Sequence, residues 1–205
     1  GPYLRDGLMD RGVMVETLET ATSWSNLSRL HDAVRAALPG VLVGCHVSHL
    51  YATGGSLYFT VFGREHIGRI DAKTGAITVW QTPTKGSAPR RGMIDGQARL
   101  WFGENRAERI GMFDTRTETF REWVAPTPES WPYDVTADTH GNVWAGGEYS
   151  DRVMRLDPKT GAITEYLLPR FTNIRRVFVD SLTTPSTFWV GNNHGASIVK
   201  LEPQD

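Results

Sequence analysis

The sequence has little of what would mark a disulfide scaffold, a membrane span or a nucleic-acid binder. Its single cysteine, Cys45, excludes an internal disulfide and a cysteine metal cluster. No run of eighteen apolar residues is present, so we expect no membrane helix. The 22 basic and 23 acidic residues leave a net charge of −1, which gives no overall field to attract nucleic acid or an anionic membrane. A lone thiol suits either side of a membrane, so the compartment stays open.

What the sequence does have is an internal repeat of about 43 residues. The first aromatic of each unit stands at Tyr58, Trp101, Trp144 and Trp189, in steps of 43, 43 and 45. An aliphatic residue follows nine positions later, at Ile67, Ile110, Val153 and Ile198. A second aromatic recurs at Trp80, Trp123 and Tyr166, where we expect packing between units. A period in the low forties, built from short apolar alternations, predicts a β-propeller in which each unit is one four-stranded sheet, or blade.

Turn residues place the strands inside each unit. Asp-x-x-Thr-Gly turns at 71–75 and 157–161 should join the third and fourth strands, because glycine accepts the positive φ of a tight hairpin. Glu118 replaces that glycine in the middle unit, which predicts a strained or altered turn. The last unit ends near Glu202 without its outer strand, and residues 13–19 (VMVETLE) are the free candidate for it. We expect blades at about 51–86, 87–129, 130–172 and 173–205.

Residues 1–50 follow a different pattern. A strand is expected at 13–18, a helix begins near Ser25 or Asn26, and a second strand begins at Val41. This β-α-β unit is too small to bury a core alone. The predicted fold class is therefore mostly β: a partial or four-bladed propeller of four-stranded antiparallel blades, preceded by a small α+β segment at 1–50.

Four segments of the repeat carry a resemblance to a known family. They are IGRIDAKTGAIT, LWFGENRAERIGMFD, VMRLDPKTGAITEYLLP and FWVGNNHGASIVKLEP. Over about residues 55–205 the chain resembles the virginiamycin B lyase (streptogramin lyase) propeller family. The resemblance implies membership of a group of seven-bladed carbon-oxygen lyases that open a cyclic depsipeptide by magnesium-dependent elimination. At most four such units are present here.

The start of the chain resembles another group. YLRDGLMDRGVMVETLETATSWSNL and GCHVSHLYATGGSLYFTV, within residues 1–62, are similar to the C-terminal cap domain of FAD-linked oxidases of the alkylglycerone-phosphate synthase type. The two resemblances overlap at GGSLYFTVFGR, so we infer a chimeric or fragmentary chain. The oxidase family binds FAD in a separate domain, and no glycine-rich phosphate loop replaces it here. FAD is therefore not expected to bind this chain alone.

The sequence offers two catalytic candidates and a metal site, the first of them implied by the lyase resemblance. Glu104, in WFGEN, stands at the family's glutamate position and would be catalytic and a magnesium ligand. Glu148, displaced by one residue from the equivalent position, is the second candidate ligand. His194, in GNNHGAS, follows the last second strand in a loop, where it could contact a ligand at the channel mouth, and is the second catalytic candidate. The alternatives are an exposed strand-end carboxylate for Glu104 and a turn-stabilising role for His194.

The family's histidine positions hold other residues, which argues against turnover. They are occupied by Arg90, Tyr133 and Arg175. Arginine pairs recur on equivalent inner strands, where alternation should point one of each pair into the central channel. Guanidinium groups converging there would favour a carboxylate or a phosphate. The predicted ligand-binding residues are Arg90, Arg91, Tyr133, Arg175, Arg176, Asn192 and Asn193. The alternative is internal salt bridging to Glu104, Glu148 or Asp134.

Three functions follow from these patterns. One is a lyase-like enzyme that uses Mg²⁺, and the second is a non-catalytic propeller that binds a small anionic or peptide-like ligand. The third is a fragment of an FAD-linked oxidase with no activity alone. An open arc of blades would expose two sheet faces, so we also expect ring closure by the N-terminal strand, self-association that completes the propeller, or marginal folding.

Overall fold

The structure is a computed structural model that describes residues 57–61, 64–71, 76–193, 195 and 197–204, together with helical positions 28–29, 32–33 and 36. The chain divides into two compact units, Gly1–Phe59 with Gly68–Val79, and Thr60–Ile67 with Trp80–Asp205. The strands predicted before residue 50, including 13–19 as the closing strand, lie outside the described residues. Among the described residues, no helix has the length and apolar character needed to cross a membrane.

The described strands form four antiparallel sheets, and each sheet falls within one repeat unit. The first contains β1 (Leu57–Val61), β2 (His66–Ile70) and β3 (Ile77–Gln81). The second contains β4 (Pro89–Ile94), β5 (Arg99–Glu104), β6 (Arg109–Asp114) and β7 (Thr119–Val124). The third contains β8 (Pro132–Ala137), β9 (Val143–Gly147), β10 (Arg152–Leu156) and β11 (Ile163–Leu167). The last contains β12 (Ile174–Asp180), β13 (Thr187–Asn192) and β14 (Ser197–Leu201). The prediction of a mostly β, partial propeller is confirmed. Among the described residues, the last sheet contains three strands.

Successive side chains of a strand point to opposite faces, so each sheet has two distinct faces. We call the face that carries the repeated tryptophan, Trp101, Trp144 or Trp189, the forward face, and the opposite one the rear face. The forward face of the second sheet packs against the rear face of the third, and one hydrophobic cluster fills that interface. Its members are Trp101, Ile110, Met112, Trp123, Ala125, Val135, Val143, Ala145, Met154 and Leu156.

A second hydrophobic cluster joins the third sheet to the last. Its members are Trp144, Val153, Leu168, Ile174, Phe188 and Val190, with Tyr166 packed against them. Trp144 stacks on Tyr166 and on Phe188, with ring centroids 6.1 and 5.2 Å apart. Trp123 likewise stacks on Trp101 at 5.5 Å. The predicted packing role of the second aromatic is confirmed at Trp123 and Tyr166.

One buried and one partly buried aspartate hold two of the tryptophans in place. Trp101 Nε1 donates to Asp95 Oδ2 at 2.8 Å, and one repeat later Trp144 Nε1 donates to Asp138 Oδ2 at 2.9 Å. Burial alone would raise the pKa of both carboxyls, but their hydrogen bonds, including those from the indoles, outweigh it and lower the pKa. Each tryptophan therefore fills an apolar interface with its one polar atom satisfied.

Polar ties also connect the sheets. Thr84, in the segment between β3 and β4, donates through its backbone N and its hydroxyl to the Glu122 carboxylate on β7. Thr127, between β7 and β8, makes the same pair of bonds to Glu165 on β11. Both ties join residues 38 positions apart. The segment that enters a sheet is thus fixed to the outer strand of that sheet.

The turn at Glu118 is strained but keeps its hydrogen bond. Glu118 has φ 55° and the equivalent Gly161 has φ 79°, both in the left-handed region that favours glycine. The backbone N of each donates across the turn, to Asp114 O and Asp157 O respectively, at 2.8 Å. Trp80 Nε1 also donates to Glu118 Oε2 at 3.2 Å. The prediction of strain at Glu118 is therefore confirmed, and the turn itself is unaltered.

Candidate functional site

The first strand of each of the second, third and last sheets (β4, β8 and β12) is its inner strand. Each of these three strands begins with an irregularity in its pairing with the next strand. The register shifts between Pro89 and Gly92 in β4, between Pro132 and Asp134 in β8, and between Ile174 and Arg176 in β12. A β-bulge of this kind redirects side chains, and bulges are over-represented beside active sites. The predicted residues Arg90, Tyr133 and Arg175 all lie within these bulges, and we call the three together the bulge site.

The bulge site brings two guanidinium groups to one aromatic ring. The Arg90 Cζ atom lies 4.8 Å from the centroid of the Tyr133 ring, and Arg175 Cζ lies 5.8 Å from the same centroid. Tyr133 is only 6% exposed, whereas both arginines are half-buried. Distances below about 6 Å allow an attractive cation–π interaction, so a buried ring holds both arginines in a preformed arrangement.

Glu148 closes one side of the bulge site. Its Oε1 lies 3.3 Å from Arg175 Nε, an ion-pair distance without hydrogen-bond alignment. Its Oε2 accepts a hydrogen bond from Asn105 Nδ2 at 3.1 Å. The salt-bridge alternative is thus realised for Arg175 and Glu148. Since Asp134 Oδ2 accepts from the backbone N of Val177 at 3.0 Å, that carboxylate also has a partner in the next inner strand.

Glu104 lies deep in the second sheet. It is 0% exposed, and neither carboxylate oxygen has a hydrogen-bond partner among the described residues. Burial and, to a lesser extent, the neighbouring Glu122 raise the pKa of Glu104 to about 8, against the opposing effect of Arg109. Interpreting Glu104 as an exposed strand-end carboxylate is therefore wrong. Its backbone pairs with Pro89 at the start of β4, so it is anchored beside the bulge that carries Arg90.

The described residues do not assemble a metal site around the two glutamates. Glu104 has Arg109 and Glu122 as its charged neighbours, whereas Glu148 is engaged by Arg175 and Asn105. In the described part of the chain, no group of three or more His, Cys, Asp or Glu side chains could hold an ion. His194 lies outside the described residues. The magnesium site and the catalytic role of His194 stay predictions.

A cavity of about 640 Å³ opens beside Arg175 in the last sheet. Its lining contains Arg175, Arg176, Gly191, Asn192, Asn193, Ser197 and Ile198. Asn192 is committed to the loop, because its Oδ1 accepts from Asn173 N and Gly195 N, and its Nδ2 donates to Phe171 O. The exposed Asn193 and Arg176 therefore offer the polar contacts at the rim. Four of the seven predicted ligand-binding residues meet in this one cavity.

Sequence reasoning named these arginines but missed three features that position them. It did not predict the bulges, the contact of Asn105 with Glu148, or the burial of Glu104. The spacing carried a signal for the second, since Asn105 and Glu148 are 43 residues apart, one full repeat. No pattern in the sequence distinguishes a bulged inner strand from a regular one.

Comparison with known proteins gives a consistent result. A structure of a streptogramin B lyase matches 73% of this chain and 52% of its own length, at 23% identity and a TM-score of 0.62. Selenomethionine-substituted virginiamycin B lyase from Staphylococcus aureus matches at 25% identity and a TM-score of 0.59. The match covers 73% of this chain and 53% of that enzyme. A catalytically inactive variant of the same enzyme with quinupristin gives the same figures. No curated protein matches the chain closely enough to count as a relative.

The chain spans about half the length of the lyase structures it matches. The profile of the virginiamycin B lyase family covers residues 51–205 and stops short of the N-terminal segment. The resemblance of residues 1–62 to an oxidase cap, and the joining of two families, stay predictions. Because this profile matches well over half of the chain, the chain belongs to the virginiamycin B lyase family.

Proposed function

We propose that this propeller binds a small anionic or peptide-like ligand at the bulge site without turning it over. The convergence of Arg90 and Arg175 on the ring of Tyr133 carries this proposal. Guanidinium groups bind carboxylates and phosphates through paired, charge-assisted hydrogen bonds. Two arginines already ordered by a buried ring lose little conformational freedom on binding, so their arrangement is preorganised for an anion.

Charge at the site supports the same conclusion. The arginine pairs at 90–91 and 175–176 place four cationic side chains on two inner strands, against the two carboxylates of Glu148, which faces Arg175, and of Asp134 on the inner strand between them. A carboxylate or phosphate on the ligand would therefore enter a region of net positive charge. The adjoining cavity, with Arg176 and Asn193 at its rim, has room for a peptide-like remainder.

Arginine substitution tests the binding proposal. The double variant Arg90→Ala/Arg175→Ala should bind inorganic phosphate at least about tenfold more weakly, because charge-assisted hydrogen bonds contribute about 1.5–3 kcal/mol. Isothermal titration calorimetry at fixed ionic strength measures this. Arg116→Ala is the matched control, since its side chain is 67% exposed on a turn of an outer hairpin. Equal phosphate affinity in the double variant and the control would contradict the proposal.

A second candidate is carbon-oxygen elimination, favoured by Glu104 and by the family. Elimination needs a base that removes the proton next to a carbonyl and an acid that protonates the leaving oxygen as the C–O bond breaks. With its pKa near 8, Glu104 is mostly protonated at neutral pH, as a general acid must be. Because it is fully buried, the segment around it must open before Glu104 meets a substrate. The altered histidine positions weigh against this candidate.

Glu104→Gln separates the two candidates. If elimination is the function, wild-type protein supplied with Mg²⁺ should open a cyclic depsipeptide, and Glu104→Gln should lose roughly 10²-fold or more of that rate. Mass spectrometry of the product measures the ring opening, and phosphate affinity should be unchanged. Glu202→Gln, at an exposed side chain, is the control. Absence of wild-type turnover, or full turnover in Glu104→Gln, would exclude this role.

A further inference from the structure

We propose that the forward face of the last sheet, β12–β14, docks the rear face of the first sheet, β1–β3, of a second copy of this chain. Both interior interfaces bury their forward-face tryptophan completely, since Trp101 and Trp144 are 0% exposed. The equivalent Trp189 is 36% exposed, and its neighbours Phe178 and Ile198 are 64% and 76% exposed. The same surface that is covered twice by a following sheet has no following sheet over it among the described residues.

Strand register makes this surface one continuous patch. Phe178 pairs with Trp189 across β12 and β13, and Trp189 pairs with Lys200 across β13 and β14. The Lys200 ammonium lies 5.6 Å from the centroid of the Trp189 ring. Residues opposite one another on adjacent strands share a face, so two aromatic side chains and one lysine lie in a row. An apolar strip of this kind is typical of an interaction surface.

The interior interfaces show what chemistry covers a forward face. In the third sheet the rear face presents small and aliphatic side chains, among them Val143, Ala145 and Met154. The outer strand of that rear face contributes Ile163, which packs against the same cluster. The rear face of the last sheet, which covers Trp144, presents Ile174, Val190 and the aromatic Phe188. A partner of the last sheet should therefore offer apolar, mainly aliphatic residues on a twisted antiparallel sheet.

The first sheet has a rear face of this chemistry. Ile77 in β3 corresponds to Phe120 in β7, one repeat of 43 residues later, and to Ile163 in β11, two repeats later. The same steps relate Val79 to Glu122 and Glu165. Ile77 and Val79 are 51% and 49% exposed, so both present apolar surface to solvent. Val79 of the first sheet is thus aliphatic at the position where the second and third sheets carry glutamate. Together, Ile77 and Val79 form an apolar pair that could contact Phe178 and Trp189.

A second copy also matches the size of the family relatives. The chain covers 52–53% of the lyase structures, so the matched parts of two copies add up to about the length of one relative. Forward face on rear face is a heterologous contact, and two such contacts close a ring if the rotation permits it. The contact between two copies would therefore repeat the packing that already joins the second, third and last sheets within one chain.

Sedimentation of charge variants tests the proposal. Wild-type protein at micromolar concentration should sediment as a dimer or a larger closed species. Ile198→Glu on the forward face and Val79→Glu on the rear face should each weaken association at least about 30-fold, the effect of losing a central hot spot. Leu182→Glu, at a turn residue that is 96% exposed, should associate like the wild type. Circular dichroism verifies that each variant is folded.

Mixing the two variants identifies the faces. In a head-to-tail contact, Ile198→Glu and Val79→Glu copies together retain one intact pair of faces, so the mixture should form heterodimers that neither variant forms alone. A symmetric contact between two forward faces would leave Val79→Glu fully dimeric and overturn the proposal. A monomeric wild type would overturn it as well, because the patch would then be covered by another occupant, such as a further sheet.

Discussion

Replacing Trp144 by alanine should lower the free energy of unfolding by about 3–5 kcal/mol, as expected for truncating a large, fully buried aromatic residue. Trp144 is 0% exposed and stacks on both Tyr166 and Phe188, so the truncation leaves a cavity at the interface of two sheets. It also removes the indole N–H that donates to Asp138 Oδ2. Both losses act on the same interface and add to each other. Urea denaturation followed by circular dichroism measures the change.

Two substitutions make this test specific. Phe171→Ala removes a large aromatic side chain that is 68% exposed, and should change stability by no more than about 0.5 kcal/mol. Trp144→Phe keeps an aromatic ring in the interface and should cost less than Trp144→Ala. A loss below about 1 kcal/mol for Trp144→Ala would show that the third and last sheets do not depend on this contact.

Neutralising Glu104 should stabilise the protein in a pH-dependent way. The folded-state pKa is about 8, above the 4.5 of an ordinary glutamate, so between these values the folded state keeps a proton that the unfolded state releases. Stability contributed by the protonated form is therefore complete below about pH 4.5 and is lost as pH rises toward 8, by about 1.4 kcal/mol per pH unit. Glu104→Gln carries no titrating proton and escapes this loss.

The expected result is a difference between two pH values. From pH 4.5 to pH 7, the unfolding free energy of Glu104→Gln should gain about 3 kcal/mol relative to the wild type. Urea denaturation at both pH values measures it, and any constant cost of burying the glutamine amide cancels in the comparison. Glu202→Gln, which loses only a surface contact to Lys200, should show no such gain. A relative stability that is equal at both pH values would contradict the buried, proton-binding state of Glu104.

The fold was largely predictable because the repeat imposes the same constraints several times. The tryptophans, the aliphatic residues nine positions later and the turn glycines each indicate a strand or a hairpin, and they advance together. Glu118 shows the limit of such reasoning. The missing glycine predicts strain, yet only the structure shows that the turn keeps its hydrogen bond and that Trp80 contacts the replacing side chain.

The candidate site was less predictable because it depends on departures from the repeat. The position equivalent to Glu104 is Gly147, where an added Cβ would lie 2.6 Å from Ser130 O, so the third sheet has no room there for a side chain. The carboxylate stands instead at Glu148, where it meets Arg175. Local crowding of this kind arises from neighbouring sheets, and a pattern along the chain does not encode it.

The ties between sheets also bear on how such a chain arises. Thr84 reaches Glu122 and Thr127 reaches Glu165 over the same 38 positions, and Asn105 reaches Glu148 over 43. Each of these hydrogen bonds spans no more than one repeat. Duplication of a stretch of gene one repeat long therefore inserts a unit together with the residues that form its own hydrogen bonds. Modules already in place keep theirs, and a lineage is free to gain or shed units without redesigning those that remain.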